Sequence, residues 1–96
     1  MMFMVVETFR DATAIYRRLR ETGRMMPDGL KFVDSWVAAD LGRCFQLMET
    51  DDITLLQRWI AGWCDLATFE VVPVVPGTDT AAALSGDLTA QGDPGD

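Results

Sequence analysis

The sequence predicts an α+β fold of the ferredoxin-like type, an antiparallel sheet with two helices on one face. Strand-like and helix-like stretches follow one another in the order strand, helix, strand, strand, helix, strand, which is the split βαβ pattern. The chain has 96 residues, a length typical of one domain with a modest core. These observations predict one sheet, two covering helices and one open sheet face.

The first strand and the first helix have clear signals in the sequence. Residues 2–9 are mostly β-branched, aromatic or otherwise apolar, with no Gly or Pro, and predict the first strand. Apolar residues then recur at helical spacing over 12–22, with Asp11 or Thr13 as the N-cap. Gly23 predicts the end of this helix.

The next two strands form a hairpin whose loop decides which side chains share a face. We assign the loop to residues 40–42, with the glycine at the position of positive φ. This loop pairs Trp36 with Gln46 and Asp34 with Met48.

Alternation of side chains then divides the hairpin into two faces. One face carries Val33, Ser35, Val37, Phe45 and Leu47. The other carries Phe32, Asp34, Trp36, Cys44, Gln46 and Met48. We expect the helices to cover the first face and leave the second open, and we assign Glu7 of the first strand to the second face as well.

A second helix and a last strand complete the predicted domain. Asp51 and Asp52 suit the positive N-terminus of a helix. Its expected buried stripe consists of Ile53, Leu56, Trp59, Ile60 and Trp63. Residues 69–75 predict the last strand. Because proline has no N–H for the ladder, Pro73 predicts that this strand lies at a sheet edge or changes direction there.

The composition changes at residue 77. Residues 77–96 hold four Asp, no basic residue and no aromatic residue. We therefore expect a folded domain over 1–76 and an acidic Gly- and Asp-rich tail that is mostly disordered, with one helical turn at 80–85.

Charge and residue usage exclude several functions. The net charge is −7, and residues 1–76 alone hold 11 acidic and 8 basic residues, which argues against a nucleic-acid partner. No apolar run has the roughly 18–20 residues of a membrane span, so we expect a cytoplasmic protein with no membrane partner. The chain has no His, which removes Ser-His and Cys-His catalysis and His-bound haem or zinc. We expect no cofactor and no metal, and two reduced cysteines, Cys44 and Cys64.

Five segments together resemble a known family. They are MVVETF at 4–9, GRMMPDGL at 23–30, DSWV at 34–37, RCFQLME at 43–49 and FEVVPV at 69–74. As a set they are similar to a small bacterial domain-of-unknown-function family (DUF3303-like), itself similar to dimeric α+β barrel proteins such as antibiotic-biosynthesis-type monooxygenases. The resemblance covers residues 2–76 and implies the fold and a homodimer, but no reaction.

Three functions remain open from the sequence. An enzyme without a cofactor, resembling a monooxygenase or an isomerase, would use a pocket between the open face and a partner subunit. There Glu7 or Asp34 would act as the general base, Gln46 would hold a developing oxyanion, and Trp36 would stack on the substrate. A binding module would hold a small hydrophobic or aromatic ligand in the same pocket without turnover. A structural or interaction homodimer with a filled barrel is the interpretation that the sequence favours.

Overall fold

The computed structural model describes residues 1–88. It contains four strands and three helices in the order β1 Met2–Phe9, α1 Ala12–Thr22, β2 Lys31–Val37, β3 Arg43–Glu49, α2 Ile53–Ala61, β4 Ala67–Val74 and α3 Gly77–Leu88. The strands form one sheet in the order β2-β3-β1-β4, and neighbouring strands are antiparallel. This arrangement confirms the predicted ferredoxin-like α+β fold and the placement of the last strand at an edge.

Both covering helices begin at a capping aspartate. The Asp11 carboxylate accepts a hydrogen bond from the Ala14 N–H at 3.0 Å, so Asp11 and not Thr13 is the N-cap of α1. The Asp52 carboxylate accepts from the Thr54 N–H at 3.0 Å and caps α2. Helix α1 ends at Gly23, whose φ of 68° is easily adopted only by a residue without a Cβ.

The core lies between the sheet and helices α1 and α2. Its buried members are Phe3, Val5, Ile15, Leu30, Met48, Leu56, Trp59, Trp63 and Ala67. Three of the five residues expected to form the buried stripe of the second helix belong to this core. Ile53 does not, because it opens the helix and remains 49% exposed.

A β-bulge corrects the predicted register of the hairpin. The pairing shifts by one residue between Phe32 and Asp34, and beyond it Trp36 pairs with Phe45 while Ser35 pairs with Gln46. Because alternate residues face opposite sides, one extra residue transfers the following side chains to the other face. The predicted pairs of Trp36 with Gln46 and of Asp34 with Met48 are therefore wrong.

The hairpin loop is longer than predicted. The Ala38 N–H donates to the Arg43 carbonyl at 2.9 Å, and the Leu41 N–H donates to the Ala38 carbonyl at 2.9 Å. The positive φ falls on Leu41, at 62°, and not on Gly42. Asp40 accepts a hydrogen bond from the Gly42 N–H at 2.8 Å, and this Asx-type contact closes the loop.

Helix α3 follows the sheet at the C-terminal end of the described chain. It spans Gly77–Leu88, longer than the single turn expected at 80–85, and its side chains up to Ser85 are exposed except that of Ala81, which is half-buried. The remainder of the predicted tail, 89–96, lies outside the described residues. Within residues 1–88 no helix is both long enough and apolar enough to cross a membrane.

Candidate functional site

A pocket lined by both polar and apolar side chains lies between the sheet and the two covering helices. It has a volume of about 70 Å³. Its polar lining residues are Glu7, Tyr16, Arg24, Ser35, Cys44 and Gln46. Its apolar lining residues are Phe9, Ile15, Leu19, Val37, Trp59 and Trp63. We call this cavity the Glu7 pocket.

The strand registers explain why the polar side chains meet there. Glu7 of β1 lies opposite Cys44 of β3, which lies opposite Val37 of β2. Residues directly opposite each other across strands share a face, so this row points to the helices. Gln46 lies two residues beyond Cys44 on the same strand, within diagonal reach of Glu7.

Glu7 is a buried carboxyl group with one neutral partner. Its side chain is 4% exposed, and Oε1 accepts a hydrogen bond from Nε2 of Gln46. Burial raises the pKa of Glu7 from 4.5 to about 7, because water no longer stabilises the charged form. A carboxyl group in this state gains and loses a proton near neutral pH, as an acid–base catalyst requires.

The second carboxyl oxygen of Glu7 borders the cavity. Among residues 1–88, every fully enclosed side-chain nitrogen or oxygen has a hydrogen-bond partner. Oε2 receives none of the side-chain hydrogen bonds in this part of the chain, and Glu7 itself lines the pocket. Oε2 is therefore the atom of Glu7 that a bound molecule would contact.

Two further ionisable groups stay uncharged beside Glu7. Burial, and then the charge of Glu7, raise the pKa of the Cys44 thiol to about 11, while the positive charge of Arg24 opposes this increase. Burial is also the main cause that raises the pKa of Tyr16, with smaller contributions from Cys44 and Glu7. At neutral pH, Cys44 and Tyr16 can therefore offer S–H and O–H groups but no charge.

Arg24 is held at the pocket through its backbone. The indole N–H groups of Trp59 and Trp63 both donate to the Arg24 carbonyl, at 2.8 and 3.2 Å. The guanidinium group lies over the Phe32 ring, 3.8 Å from its centroid, an arrangement typical of a cation–π contact. Trp59 and Trp63 therefore hold the backbone of Arg24, and Phe32 of β2 contacts its exposed side chain.

The structure separates the candidate residues into two groups. Glu7, Cys44 and Gln46 meet in the pocket on the helix-covered face, and Phe32 and Met48 lie on that face as well, Met48 within the core. Asp34 and Trp36 lie on the opposite, open face, because the bulge at Val33 reverses the alternation. The expectation that all seven share one open face is wrong, and so is the expectation that Val33, Ser35, Val37, Phe45 and Leu47 form the covered face.

Asp34 has an ordinary local contact. Its side chain is exposed, and Oδ1 accepts a hydrogen bond from the N–H of Ser35 at 2.8 Å. A carboxylate that is exposed to water and bonded to its neighbour has no burial strain to use in catalysis. Its suggested role as a general base has no support in this geometry.

Sequence reasoning misses three of the polar residues that line the pocket. Tyr16 lies within the stretch 12–22 that predicts a helix, Ser35 lies on the face that we expect the helices to cover, and Arg24 follows Gly23, where this helix is predicted to end. The spacing of Tyr16 from Ile15 and Leu19 did indicate the covered side of the helix. Arg24 had no such signal, because its position depends on hydrogen bonds from Trp59 and Trp63, far away in the sequence.

The comparisons with known proteins show the family and no activity. Within residues 1–88 no group of three or more Cys, Asp or Glu side chains is arranged to hold a metal ion. No curated protein matches the chain, and no solved structure matches it. A family model described as "Domain of unknown function (DUF3303)" matches residues 1–88, which include all four strands and α3. The chain therefore belongs to this family of domains of unknown function.

Proposed function

We propose that this protein binds a small molecule in the Glu7 pocket and that Glu7 exchanges a proton with the bound molecule. The observation that carries the proposal is a carboxyl group, 4% exposed, at the wall of a cavity, with no positive charge paired to it within residues 1–88. Leaving a carboxyl group in such a place weakens the fold, because the charged form loses its hydration. Local destabilisation of this kind is typical of functional sites.

The neighbours of Glu7 have distinct roles in this proposal. Gln46 occupies Oε1 and orients the carboxyl group, which leaves Oε2 for the bound molecule. Cys44 and Tyr16 supply uncharged hydrogen-bonding groups beside it. Proton transfer at Oε2 needs neither a metal nor a cofactor. These residues can therefore carry out acid–base chemistry such as an isomerisation.

Native mass spectrometry of freshly purified protein tests this proposal. We expect the wild-type protein to retain a small molecule and Glu7→Gln to lose most of it, because the amide of the variant cannot take up or release the proton. Glu21→Gln removes a carboxylate from the exposed surface of α1 and should retain the molecule. A wild-type protein without any retained molecule, or equal retention by both variants, contradicts the proposal.

A second observation favours self-association as an additional function. Two rows of side chains cross the open face, one through Trp36, Phe45 and Val6, the other through Leu47, Met4 and Val72. Trp36 is 51% exposed and Val72 is 39% exposed. Apolar side chains of this size, side by side on a sheet, are typical of an interaction surface.

The occupant that we propose for the open face is a second copy of the chain. The face carries Arg43 near one end of β3, and it carries Asp34 and Glu70 at the ends of the two apolar rows. A two-fold axis brings a surface against itself, so a face with both charge signs at its margin can be complementary to its own copy. The homodimer would be cytoplasmic, in keeping with two free cysteines.

A further inference from the structure

We propose that the molecule bound in the Glu7 pocket is a short-chain carboxylic acid with a carbonyl or hydroxyl group, whose carboxylate pairs with Arg24. This inference rests on the proposed function of the pocket and adds the class of ligand. Four observations carry it: the absence of an ion pair at Arg24 within residues 1–88, the contacts that Arg24 makes, its place beside Glu7 in one cavity and the cavity volume.

Arg24 is a cation without an anion. The two ion pairs within residues 1–88 join the N-terminus of Met1 to Asp51, and Arg18 to Asp65. Arg18 forms a two-pronged contact with Asp65, at 2.8 and 2.7 Å, whereas no carboxylate of the described chain contacts Arg24. A guanidinium group offers a planar fork of N–H donors that matches a carboxylate, so Arg24 is able to pair with the carboxylate of a bound molecule.

The backbone of Arg24 is held before any ligand binds, and its exposed side chain rests against an aromatic ring. Two indole N–H groups donate to its carbonyl, and the Phe32 ring lies against its guanidinium group. An arginine that already rests on a ring loses less side-chain entropy on binding an anion than one without such a contact. This arrangement favours recognition of an anion at the Arg24 end of the pocket.

The pocket offers both a positive charge and a proton-exchanging carboxyl group, because Arg24 and Glu7 both line it. The charges of the two groups act on Cys44, which also lines the pocket, in opposite directions. A ligand that fills the pocket can therefore contact both Arg24 and Oε2 of Glu7.

The volume of the pocket limits the size of the ligand. The cavity measures about 70 Å³, while an apolar cavity of about 150 Å³ holds benzene and one water needs roughly 10–15 Å³. The space suits a molecule larger than water and smaller than an aromatic ring. A carbonyl or hydroxyl group on such an acid can exchange hydrogen bonds or a proton with Glu7.

Pyruvate is the probe for the test, with two matched relatives. Pyruvamide keeps the shape and the carbonyl groups without the negative charge, and propionate keeps the charge without the keto group. Binding is followed by the indole N–H signals of the three tryptophans in ¹⁵N-labelled protein. Trp59 and Trp63 line the pocket, and Trp36 on the open face is the internal control.

We expect pyruvate to shift the signals of Trp59 and Trp63 without moving that of Trp36. Pyruvamide should bind at least about tenfold more weakly than pyruvate, because it has no carboxylate and loses a charge-assisted hydrogen bond. Propionate should also bind at least about tenfold more weakly, because it has no keto oxygen and loses a neutral hydrogen bond. Arg24→Gln should lower the affinity for pyruvate at least about tenfold, and Arg24→Lys should lower it less. Arg20→Gln, on the exposed surface of α1, should bind pyruvate as the wild type does.

Three results would overturn the ligand class: no shift with pyruvate, equal binding of pyruvate and pyruvamide, or unchanged binding to Arg24→Gln. The titration of ¹³C-labelled Glu7 in the same protein separates this failure from that of the proposed function. If Glu7 titrates near pH 7 while pyruvate does not bind, only the ligand class is wrong. If Glu7 instead titrates near 4.5, the ordinary pKa of a glutamate, the proposal that Glu7 exchanges a proton with the ligand is wrong as well.

Discussion

A glutamate side chain in water is ionised above about pH 4.5, and Glu7 loses this preference because the sheet and the helices exclude water from it. Gln46 offers one N–H to the carboxylate, which is less than the several donors that water supplies. The proton therefore stays on Glu7 until the pH approaches 7. The acid–base property of the site follows from burial, and not from a charged neighbour.

This shift makes the stability of the fold depend on pH. The folded pKa of Glu7 lies above the unfolded value, so between pH 4.5 and about 7 the folded protein binds a proton that the unfolded chain releases. The free energy of unfolding therefore falls as the pH rises through this window. For a shift of this size, the free energy of unfolding is about 3 kcal/mol lower above pH 7 than it is below pH 4.5.

We expect Glu7→Gln to remove this dependence. The amide of the variant does not titrate, so the free energy of unfolding should change little between about pH 5 and 8, and at about pH 8 it should exceed that of the wild type. Urea denaturation at several pH values measures this, with Glu21→Gln as the control on the surface of α1. An equal decline in the wild type and Glu7→Gln would show that another group causes the pH dependence.

At the scale of elements, the β2–β3 hairpin decides which side chains enter the site. The bulge at Val33 brings Ser35 opposite Gln46 and sends Trp36 to the open face. The same segment also protects an edge of the sheet. The N–H of Ser35 is bonded to the side chain of Asp34, and bulges discourage pairing with another strand. Self-association by strand addition at β2 is therefore disfavoured relative to face-to-face packing.

The hairpin loop holds a residue in an unfavourable conformation. Leu41 has a φ of 62°, a left-handed conformation that crowds its Cβ, while its side chain is 58% exposed and packs little. We expect Leu41→Gly to raise the free energy of unfolding by about 0.5 kcal/mol, because relief of this strain exceeds the backbone entropy that glycine loses. A thermal melt should show an increase of roughly 2–4 °C.

The control for this prediction is Leu41→Ala. Alanine removes the same exposed side chain but keeps the Cβ, so its melting temperature should stay at or below that of the wild type. A similar increase in both variants would trace the effect to the loss of an exposed apolar group, and not to the backbone conformation.

The connection between α1 and β2 shows a similar constraint from packing. Gly29 has a φ of 93°, and a Cβ at this position would lie 2.8 Å from Cδ1 of Leu55. The positive φ favours glycine there, and a Cβ would in addition push the end of the Leu55 side chain aside.

At the scale of the whole molecule, one face of the sheet is covered by helices and the other is open. The covered face holds the core and the Glu7 pocket, while the open face presents apolar rows that include Trp36. The two proposed functions therefore use opposite faces. A dimer through the open face does not cover the face of the sheet that holds the pocket.

We expect the protein to be a homodimer at micromolar concentration and Trp36→Lys to shift it towards the monomer. Trp36 is half-exposed within an apolar row, and a lysine there would place a charge in the interface. Light scattering coupled to size exclusion measures the mass. Ile53→Lys is the control, since Ile53 is similarly exposed but belongs to α2 on the other side of the sheet.

A monomer mass for the wild type would rule out the dimer. A dimer that persists in Trp36→Lys, or that dissociates equally in Ile53→Lys, would place the interface elsewhere on the molecule. The exposed helix α3 is one alternative surface, as its side chains from Gly77 to Ser85 are mostly in contact with solvent.

The sequence alone determined the type and order of the six elements from β1 to β4, but not helix α3. Strand β1 and helix α1 have the predicted bounds, because a run of β-branched and aromatic residues and a capped amphipathic stretch carry their signals locally. Pro73 likewise indicated that β4 is an edge strand, which the sheet order confirms. Glu7, Cys44 and Gln46 were also predicted to share one face, since each strand alternates regularly between its two faces.

The tertiary structure decided which face the helices cover and which residues complete the site. Alternation defines two sets of side chains in a strand but does not say which set is buried, and both sets of this sheet are rich in apolar residues. One extra residue at Val33 then moved the side chains of Asp34 and Trp36 from the predicted face of the sheet to the opposite one. A valine in a strand gives no sign of such a bulge. Arg24 reached the pocket through hydrogen bonds to residues more than thirty positions away, and only a folded chain brings such groups together.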